Sequence, residues 1–361
     1  MADTQPDHGA SFLEYSATIA LVSTVAGAVL FSSASMGESV SNGIKRAIDC
    51  VVHIDRDCAV GSPEDGDAAA EDPSGAGPGN GDDDTLPVID DGRAPGEYQI
   101  GSFNMAGGNA DEYDPDTSAE ALINSLEDRL PGVVAVQEAC ESDMDEVDSS
   151  MENYTTVFQQ VEKVDSESGG RSGASCKEVD SPFGNALVVR DDMGFDTENE
   201  EVHELSPEDE VTEMRQMVCV TSETQQMAAC TVHLTSGNGK EKDAIREEET
   251  AEVQRILAEE YGDYTVILGG DLNADPGSAA TNNLYHEDYG DDAQGSLIDA
   301  SGECGHELSS GCREGEGTLG SEKIDYVFVS DDVEVQGTHT GDPHHSDHDL
   351  VWSDVYIDPD S

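Results

Sequence analysis

Basic residues are scarce in this sequence. Only 16 of its 361 residues are Lys or Arg, whereas 80 are Asp or Glu, and the formal net charge is −64 at pH 7. A charge of this size opposes a compact fold at low ionic strength, but molar salt shortens the Debye length to about 3 Å. Because acidic residues occur in every segment, they indicate a halophilic surface rather than an acidic interaction tail. The charge also argues against unaided binding of a polyanion, so a phosphate substrate would need cations as mediators.

Closely spaced cysteines are also missing. The chain has no CxxC pair, which disfavours a zinc ribbon, and none of its cysteines lies in an obvious nucleophile motif. The even total of eight cysteines predicts disulfides and an oxidising compartment, with eight reduced cysteines in a cytosolic protein as the alternative. The connectivity stays open, and pairing between neighbours along the chain is the working hypothesis. It is best supported for Cys219 and Cys230, which lie equally far from a polar turn near Thr224.

No basic segment precedes the first long apolar stretch, residues 15–37, which contains no charged residue. Its length suffices for a membrane-spanning helix, and the missing basic segment disfavours an ordinary cleaved secretory signal. The residues before it, from Gly9 to Tyr15, resemble the processing site of type IVb (Flp-type) pilins. That resemblance implies cleavage after Gly9, Glu14 as the fifth mature residue, and pilus-type self-assembly through the helix. A plain membrane anchor is the alternative, and both place the remaining chain outside the cell.

Residues 61–96 are rich in Gly, Pro, Ala and Asp and contain no aromatic residue. This composition cannot bury a core, so it predicts a disordered linker that its charge keeps extended. The acidic run 79–84 offers a calcium site as an alternative to a solvated linker. The chain therefore divides into a pilin-like or membrane-anchor segment at 1–60, the linker at 61–96 and a folded domain at 97–361.

The folded domain intersperses apolar runs that predict strands with periodic segments that predict helices. A capping box formed by Thr117 and Glu120 predicts a helix that ends before Pro131, and a second helix precedes the strand that starts at Thr265. Strands outnumber helices in this pattern, which predicts a layered α/β sandwich with sheets inside and helices outside. The predicted strands cover residues 98–104, 133–136, 184–190, 216–220, 227–234, 265–268, 324–329 and 350–356.

Polar residues adjoin the ends of these strands. The clearest case is Thr265–Asp275, where two glycines end a buried strand and Asp271 and Asn273 follow at a spacing of two. In extended chain that spacing points both side chains to one side, although a polar loop cap would look the same. One such residue is usually a strand end that meets water, but a whole series predicts convergence on one polar site. The series is Asn104, Glu138, His233, Asp271, Asn273, Asp325, Asp347 and His348.

The motifs around these residues resemble, in order, the signature of the endonuclease/exonuclease/phosphatase superfamily, which includes deoxyribonuclease I and exonuclease III. The resemblance covers residues 97–357. It implies a four-layered α/β sandwich and hydrolysis of a phosphodiester or phosphomonoester with Mg²⁺, Mn²⁺ or Ca²⁺. The cysteine placement resembles the secreted bacterial branch. The motifs are Phe103-Asn104, Gln137-Glu138, Gly184-Asn185-Ala186, Thr231-Val232-His233-Leu234, Gly270-Asp271-Leu272-Asn273, Lys323-Ile324-Asp325-Tyr326 and Ser346-Asp347-His348.

The resemblance also implies a role for each residue. Glu138 is the main metal ligand, with Asn104 and Asp347 completing or assisting the metal shell. Asp271 holds or deprotonates the attacking water, and Asn273 orients that water.

The imidazole roles follow in the same way. Asp325 pairs with His348 and fixes its tautomer, and His233 hydrogen-bonds a phosphate oxygen or protonates the leaving group. In deoxyribonuclease I a glutamate supports the histidine that corresponds to His233. Phe183-Gly184-Asn185 occupies the position of that glutamate here. His233 is therefore expected to lack its usual partner.

Other basic residues and histidines near the motifs are expected to have ordinary roles. Arg215 and Lys240 are predicted to serve surface solubility, and His344 and His345 to lie in a polar loop rather than bind a metal.

The sequence thus predicts an extracellular, surface-anchored or pilus-associated nuclease that hydrolyses phosphodiesters in DNA. A phosphodiesterase acting on a lipid or sugar phosphate is the alternative enzyme. A structural pilin-like surface subunit with an inactive globular domain is the alternative outside the enzymes.

Overall fold

The computed structural model describes residues 89, 91–109, 117–165, 168–205, 213–305, 307–341 and 346–358. The predictions for the pilin-like segment 1–60, for nearly all of the linker, and for His344 and His345 lie outside these residues. Within the described ranges, no helix is both long and apolar enough to cross a membrane.

The described residues form helices and strands in an interspersed order. The helices are α1 (Ser118–Arg129), α2 (Glu141–Ser150), α3 (Lys240–Glu260) and α4 (Ala279–Asn282). The strands are β1 (Glu97–Asn104), β2 (Val133–Cys140), β3 (Tyr154–Gln160), β4 (Glu162–Val164), β5 (Arg171–Gly173), β6 (Phe183–Arg190), β7 (Glu201–Glu204), β8 (Gln216–Ser222), β9 (Met227–His233), β10 (Thr265–Asp271), β11 (Ile298–Asp299), β12 (Asp325–Val329), β13 (Glu334–Thr340) and β14 (Val351–Tyr356).

Two mixed sheets carry the fold, with strand orders β13-β14-β1-β2-β6-β3 and β11-β12-β10-β9-β8-β7. β1 pairs in parallel with β2, and β9 pairs in parallel with β10. Parallel neighbours end at the same sheet edge, so Asn104 lies opposite Gln137 in one sheet and His233 lies opposite Asp271 in the other. Antiparallel β12 starts at this edge, with Asp325 opposite Asp271. Register therefore gathers the polar strand ends within each sheet, and the packing of the two sheets brings the two sets together.

The two sheets pack face to face. Their main core joins Ile100 and Leu187 of the first sheet to Val232 and Leu268 of the second. At the centre the backbones come very close, because a Cβ added at Gly269 would lie 2.4 Å from the Cβ of Ala135. Only glycine fits there without a shift of one sheet.

Helices cover the outer sheet faces. Leu122 and Leu126 of α1 pack with Phe103 and Val188, which point away from the inter-sheet core. Val253 of α3 joins the core of the second sheet. The arrangement of helix, sheet, sheet and helix confirms the predicted four-layered α/β sandwich.

Disulfides join Cys140 to Cys176, Cys219 to Cys230, and Cys304 to Cys312. No described cysteine is free. Pairing between chain neighbours is thus confirmed for these six cysteines, while Cys50 and Cys58 lie outside the described residues. Cys219 and Cys230 sit directly opposite each other in the β8–β9 ladder, as their equal distance from the turn predicts.

The structured part extends beyond the predicted domain start at residue 97. The Asp91 carboxylate accepts a hydrogen bond from Arg190 at 2.6 Å and another from Arg93 at 3.1 Å. Arg93 in turn donates to the carbonyls of Arg129 and Leu130, which end α1. The residues just before β1 are therefore tied to the sandwich by ion pairs and helix-end hydrogen bonds.

Some local predictions were wrong. Thr117 is the N-cap residue of α1, but its side chain makes no capping hydrogen bond, because its φ of −138° and ψ of −11° depart from the usual cap conformation. The sequence pattern also did not predict α2, α4, β3, β4, β5, β7, β11 and β13. Most of these elements are short or polar, so the apolar period in them is weak.

Candidate active site

Asn104 connects the two sheets at the edge where the polar strand ends meet. Its side-chain amide donates to Oδ2 of Asp271 at 2.9 Å and lies 3.4 Å from Oε1 of Glu138. Its own side-chain oxygen accepts a hydrogen bond from the backbone of Ala106 at 2.9 Å, which fixes the amide orientation. One buried amide thus holds a carboxylate from each sheet at a defined separation.

Glu138 is aimed into the site by an irregularity in β2. The strand continues to Cys140, but its register shifts between Val136 and Ala139, and Glu138 adopts a left-handed φ of 51°. A bulge of this kind turns one side chain away from the regular alternation. The backbone N–H of Gly108 donates to Oε2 of Glu138 at 3.0 Å, and a Cβ at Gly108 would lie only 2.6 Å from that oxygen. The glycine-rich turn after β1 therefore fixes the position of the Glu138 carboxylate.

Asp271 is the most central carboxylate. It is buried, and its Oδ1 accepts a hydrogen bond from the backbone N–H of Asn273 at 2.8 Å. Asn273 has a left-handed φ of 48°, which brings that N–H back toward Asp271. Burial and the nearby negative charge of Asp325 raise the pKa of Asp271 to about 7, although His348 and two hydrogen bonds oppose them. A carboxylate with this pKa can exchange a proton near neutral pH.

His348 pairs with Asp325 as the resemblance implies. Its Nδ1 lies 2.8 Å from Oδ2 of Asp325, which is fully buried. Burial lowers the pKa of His348, but the hydrogen bond and charge of Asp325 outweigh burial and raise that pKa to about 9. The Ser346 hydroxyl accepts from the backbone N–H of His348 at 3.1 Å and donates to the Asn104 carbonyl at 2.7 Å. These contacts hold the imidazole at the edge of β1.

His233 also lies close to Asp271. Its Nε2 lies 3.6 Å from Oδ2 of Asp271 and 3.9 Å from Oε1 of Glu138. This nitrogen is buried and has no hydrogen-bond partner among the described residues. Burial, and then the charge of Arg215, lower the pKa of His233 well below its ordinary value.

Arg215 does not lie at the surface, so its predicted role in solubility was wrong. It is buried, and its Nη1 lies 3.2 Å from Nδ1 of His233. The sequence offered one signal, which is its place just before the strand β8 that pairs with the His233 strand. That position was not sufficient to place the side chain.

Asp347 approaches the site from the loop before β14. Its Oδ2 accepts a hydrogen bond from the Asn109 side chain at 3.2 Å. Asn109 follows the glycine turn that holds Glu138, so this contact links two segments of the site. Asn109 was not predicted, because a lone asparagine in a polar turn carries no distinguishing pattern.

The structure thus brings every predicted site residue to one edge of the two sheets. The roles given to these residues stay predictions. The gathered residues are Asn104, Glu138, His233, Asp271, Asn273, Asp325, Asp347 and His348.

The donor atoms fit a hard divalent cation. Asp271, Asp325 and His348 offer ligand atoms that all lie within 4.8 Å of one another, but the Asp325–His348 hydrogen bond already occupies two of those groups. Glu138 is more open, with 20 % of its side chain exposed. Burial raises its pKa, although hydrogen bonds from Asn104 and Gly108 and the charges of Arg215 and His348 oppose this rise. Mg²⁺ commonly takes one or two carboxylates and keeps several waters. Glu138 therefore suits such an ion. Asn104 assists by directing its amide N–H at the Glu138 carboxylate, because its side-chain oxygen already accepts from Ala106. Asp347 is the second predicted carboxylate ligand.

Two mixed sheets thus lie between helices, with carboxylates, amides and imidazoles at one sheet edge, a set of groups that suits hydrolysis. The sequence profile of the endonuclease/exonuclease/phosphatase family matches residues 101–348. The chain therefore belongs to this family. No curated protein sequence matches it significantly.

Solved structures share the fold at low sequence identity. The human Nocturnin catalytic domain with bound sulfate anion has a TM-score of 0.54 and 16 % identity, covering 72 % of this chain and 93 % of that one. D. rerio TDP2 humanized by 14 mutations has a TM-score of 0.50 and 14 % identity, covering 73 % and 100 %. D. rerio TDP2 complexed with a single-strand DNA product has a TM-score of 0.50 and 15 % identity, covering 72 % and 99 %.

Proposed function

We propose that this protein is a metal-dependent phosphodiesterase that hydrolyses DNA outside the cell. The contact that carries the proposal is the bridge from Asn104 to Asp271 and Glu138, with His233 and His348 on either side of Asp271. Two acidic groups, an amide and two imidazoles around one point suit a phosphoryl group and an attacking water. Family membership supports the hydrolase reading, and the fold shared with D. rerio TDP2, solved with a DNA product, supports DNA.

The metal would be held by Glu138 and Asp347, with Asn104 assisting through its hydrogen bond to Glu138. When bound, it would neutralise charge on the phosphoryl oxygens and so also bring a polyanion to an acidic protein. Glu138 is already fixed for this task by the Gly108 N–H and by Asn104.

Asp271 is the residue we assign to the attacking water. Its pKa of about 7 lets it accept a proton near neutral pH, and Asn273 stays close because its N–H donates to Oδ1. His348, kept protonated by Asp325, places a positive charge 3.9 Å from Oδ2 of Asp271. That charge favours the binding of a phosphate oxygen.

A second substrate class is favoured by a cleft of about 440 Å³ that borders Asn273. Its acidic residues outnumber its basic ones, so it repels a further phosphate and suits a neutral or cationic group. That preference fits a lipid or sugar phosphate headgroup. The charged lining residues are Lys240, Arg246, Asp243, Glu247, Asp275 and Glu322.

The experiment is a hydrolysis panel of DNA, RNA and phosphatidylcholine vesicles in molar KCl, with Mg²⁺ or with EDTA. We expect Mg²⁺-dependent cleavage of DNA and none in EDTA. Cleavage of the phospholipid alone would favour the second substrate class. Absence of metal-dependent hydrolysis of all three substrates would overturn the enzyme proposal and favour the structural subunit.

We also propose that residues 15–37 anchor the chain at the cell surface, with cleavage after Gly9. The disulfides of the described part support an oxidising compartment, and the acidic composition supports a salty one. Mass spectrometry of the native protein should find Ala10 at the mature N-terminus. An intact Met1 in membrane fractions would favour a plain anchor instead of a pilin-like one.

A further inference from the structure

Arg215 lies directly behind His233, on the side away from the reacting groups. Its Nη1 is 3.2 Å from Nδ1 of His233 and 2.9 Å from Oε1 of Glu213. Arg215 is 8 % exposed and His233 is 3 % exposed, so water competes little for this contact. A guanidinium thus occupies the supporting position where the resemblance leads one to expect a carboxylate.

The chemistry of this contact defines the state of the imidazole. A guanidinium is a donor with no acceptor site, so Nδ1 of His233 must be the acceptor and carries no proton. A neutral imidazole has one N–H, which then lies on Nε2. Nε2 points to Asp271 and Glu138 and has no partner within the described residues. A hydrogen-bond donor is therefore aimed into the site and left for a ligand.

The Nδ1 atom of His348 contacts an acceptor, whereas that of His233 contacts a donor. Nδ1 of His348 contacts the Asp325 carboxylate, a pure acceptor, so Nδ1 carries a proton there. The Nε2 atoms of His233 and His348 lie 3.6 Å and 3.9 Å from the same Oδ2 of Asp271. Two imidazoles of different character thus flank one carboxylate, and their Nδ1 partners set the difference.

We propose that Arg215, held by Glu213, is a positioning residue that fixes His233 as a neutral Nε2–H donor to a phosphoryl oxygen. The proton stays on Nε2 throughout, so His233 stabilises charge and does not protonate the leaving group. This narrows the two roles that the resemblance allows for His233 to the first. The inference rests on the proposed phosphodiester hydrolysis for its ligand, but its tautomer can be observed without any substrate.

The first test is the tautomer of His233 in the full chain. Long-range ¹H–¹⁵N spectra of histidine-labelled protein at neutral pH and molar salt distinguish protonated from unprotonated ring nitrogens. We expect unprotonated Nδ1 and protonated Nε2 for His233. An Nδ1–H tautomer or an imidazolium would overturn the proposal, whatever the activity panel shows.

The second test removes the donor. Arg215→Met keeps an apolar stem but no N–H, so the Nε2–H state should lose its preference, and kcat should fall with little change in KM. Loss of one donor of this kind costs up to about 10²- to 10³-fold in kcat. Arg215→Lys retains a cationic donor and should restore part of the rate. If the methionine variant does not fold, the lysine variant is compared with the wild type instead.

Arg190→Met is the matched control. Arg190 is also a buried arginine, but its guanidinium forms ion pairs with Asp91 and Asp192, which are not site residues. The Arg190→Met substitution should lower the melting temperature and leave the His233 spectrum and kcat per folded molecule unchanged. An Arg215→Met protein with wild-type tautomer and kcat would refute the positioning role. A correct tautomer in a protein with no hydrolase activity would instead refute the proposed function alone.

Discussion

The side-chain amide of Asn104 lies 2.9 Å from Oδ2 of Asp271, and this hydrogen bond joins the ends of β1 and β10 across the two sheets. Asn104 belongs to one sheet and Asp271 to the other, so the geometry of the site depends on how the sheets pack. The sheets are in close contact at Gly269, two residues before Asp271, where an added Cβ would lie 2.4 Å from the Cβ of Ala135. Packing at the centre of the sandwich and chemistry at its edge are thus directly connected.

Gly269→Ala should destabilise the fold by about 1–3 kcal/mol, the usual cost of overpacking. The added methyl group would lie 2.4 Å from the Cβ of Ala135 and force the sheets apart. Urea unfolding at constant high salt measures the change. Gly311→Ala is the control, because a Cβ there meets nothing within 4 Å. Equal stability of the two variants would contradict the close sheet contact.

Asp325→Asn should lower the pKa of His348 from about 9, because an amide supplies no negative charge. Activity should fall by about 10²- to 10³-fold, because a less protonated His348 supplies less positive charge to the phosphoryl group. An NMR titration of His348 and kcat measurements test both statements. The exposed Asp331, which follows the same strand, provides the control variant Asp331→Asn.

The Asp325–His348 pair should also make the stability of the fold depend on pH. The folded-state pKa of His348 lies above the ordinary 6.5, so its pairing stabilises the fold fully below that pH. This stabilisation should be lost as the pH rises through about 9. A stability gap between wild type and Asp325→Asn that grew with pH would contradict the assignment.

Glu138→Gln should remove metal-dependent hydrolysis and leave the fold intact. The amide keeps the shape of the side chain but loses the charge that attracts a divalent ion. Mg²⁺ should raise the melting temperature of the wild type and not of the variant, because a ligand stabilises only the state that binds it. Glu141→Gln, an exposed change on α2, should behave as wild type. Full activity of Glu138→Gln would remove the metal assignment.

The disulfide Cys140–Cys176 should affect activity more than Cys304–Cys312 does. Cys140 follows Glu138 by two residues, and its Sγ packs against the turn at Gly107, where a Cβ would lie 2.9 Å away. Replacing each pair by alanine should cost about 4 and about 2.5 kcal/mol, from loop lengths of 36 and 8 residues. Unfolding midpoints and kcat are the measurements. A larger loss of kcat in the Cys304/Cys312 variant would be inconsistent with this view of the site.

Asp91→Asn should destabilise the protein near neutral pH but not in acid. Burial raises the pKa of Asp91, but hydrogen bonds and charge from Arg93 and Arg190 outweigh it and lower the pKa below the ordinary 3.8. A depressed folded-state pKa adds stability above the unfolded value, and this stability is lost as the pH falls through the folded value. Melting temperatures from pH 7 downward should therefore converge for wild type and variant. A gap that persisted in strong acid would show that charge is not its cause.

The order of the motifs, the layered sandwich and the set of polar strand ends at the site could all be predicted from the sequence. These features are local, since an apolar run followed by Asp271 or His233 marks a strand and its end. Parallel pairing then places such ends at one sheet edge, so convergence follows from the pattern. The pairing of Cys219 with Cys230 was predictable for the same reason, because a tight hairpin sets its register.

How individual groups are held at the site follows from contacts between distant parts of the chain. The left-handed φ of Glu138 arises from a bulge against β6 and from the glycine turn after β1, neither of which is visible in its own sequence neighbourhood. Arg215 is buried because a histidine from the next strand accepts its hydrogen bond, although composition alone marks an arginine as a surface residue. In both cases the deciding partner lies elsewhere along the chain, and its position follows only from folding.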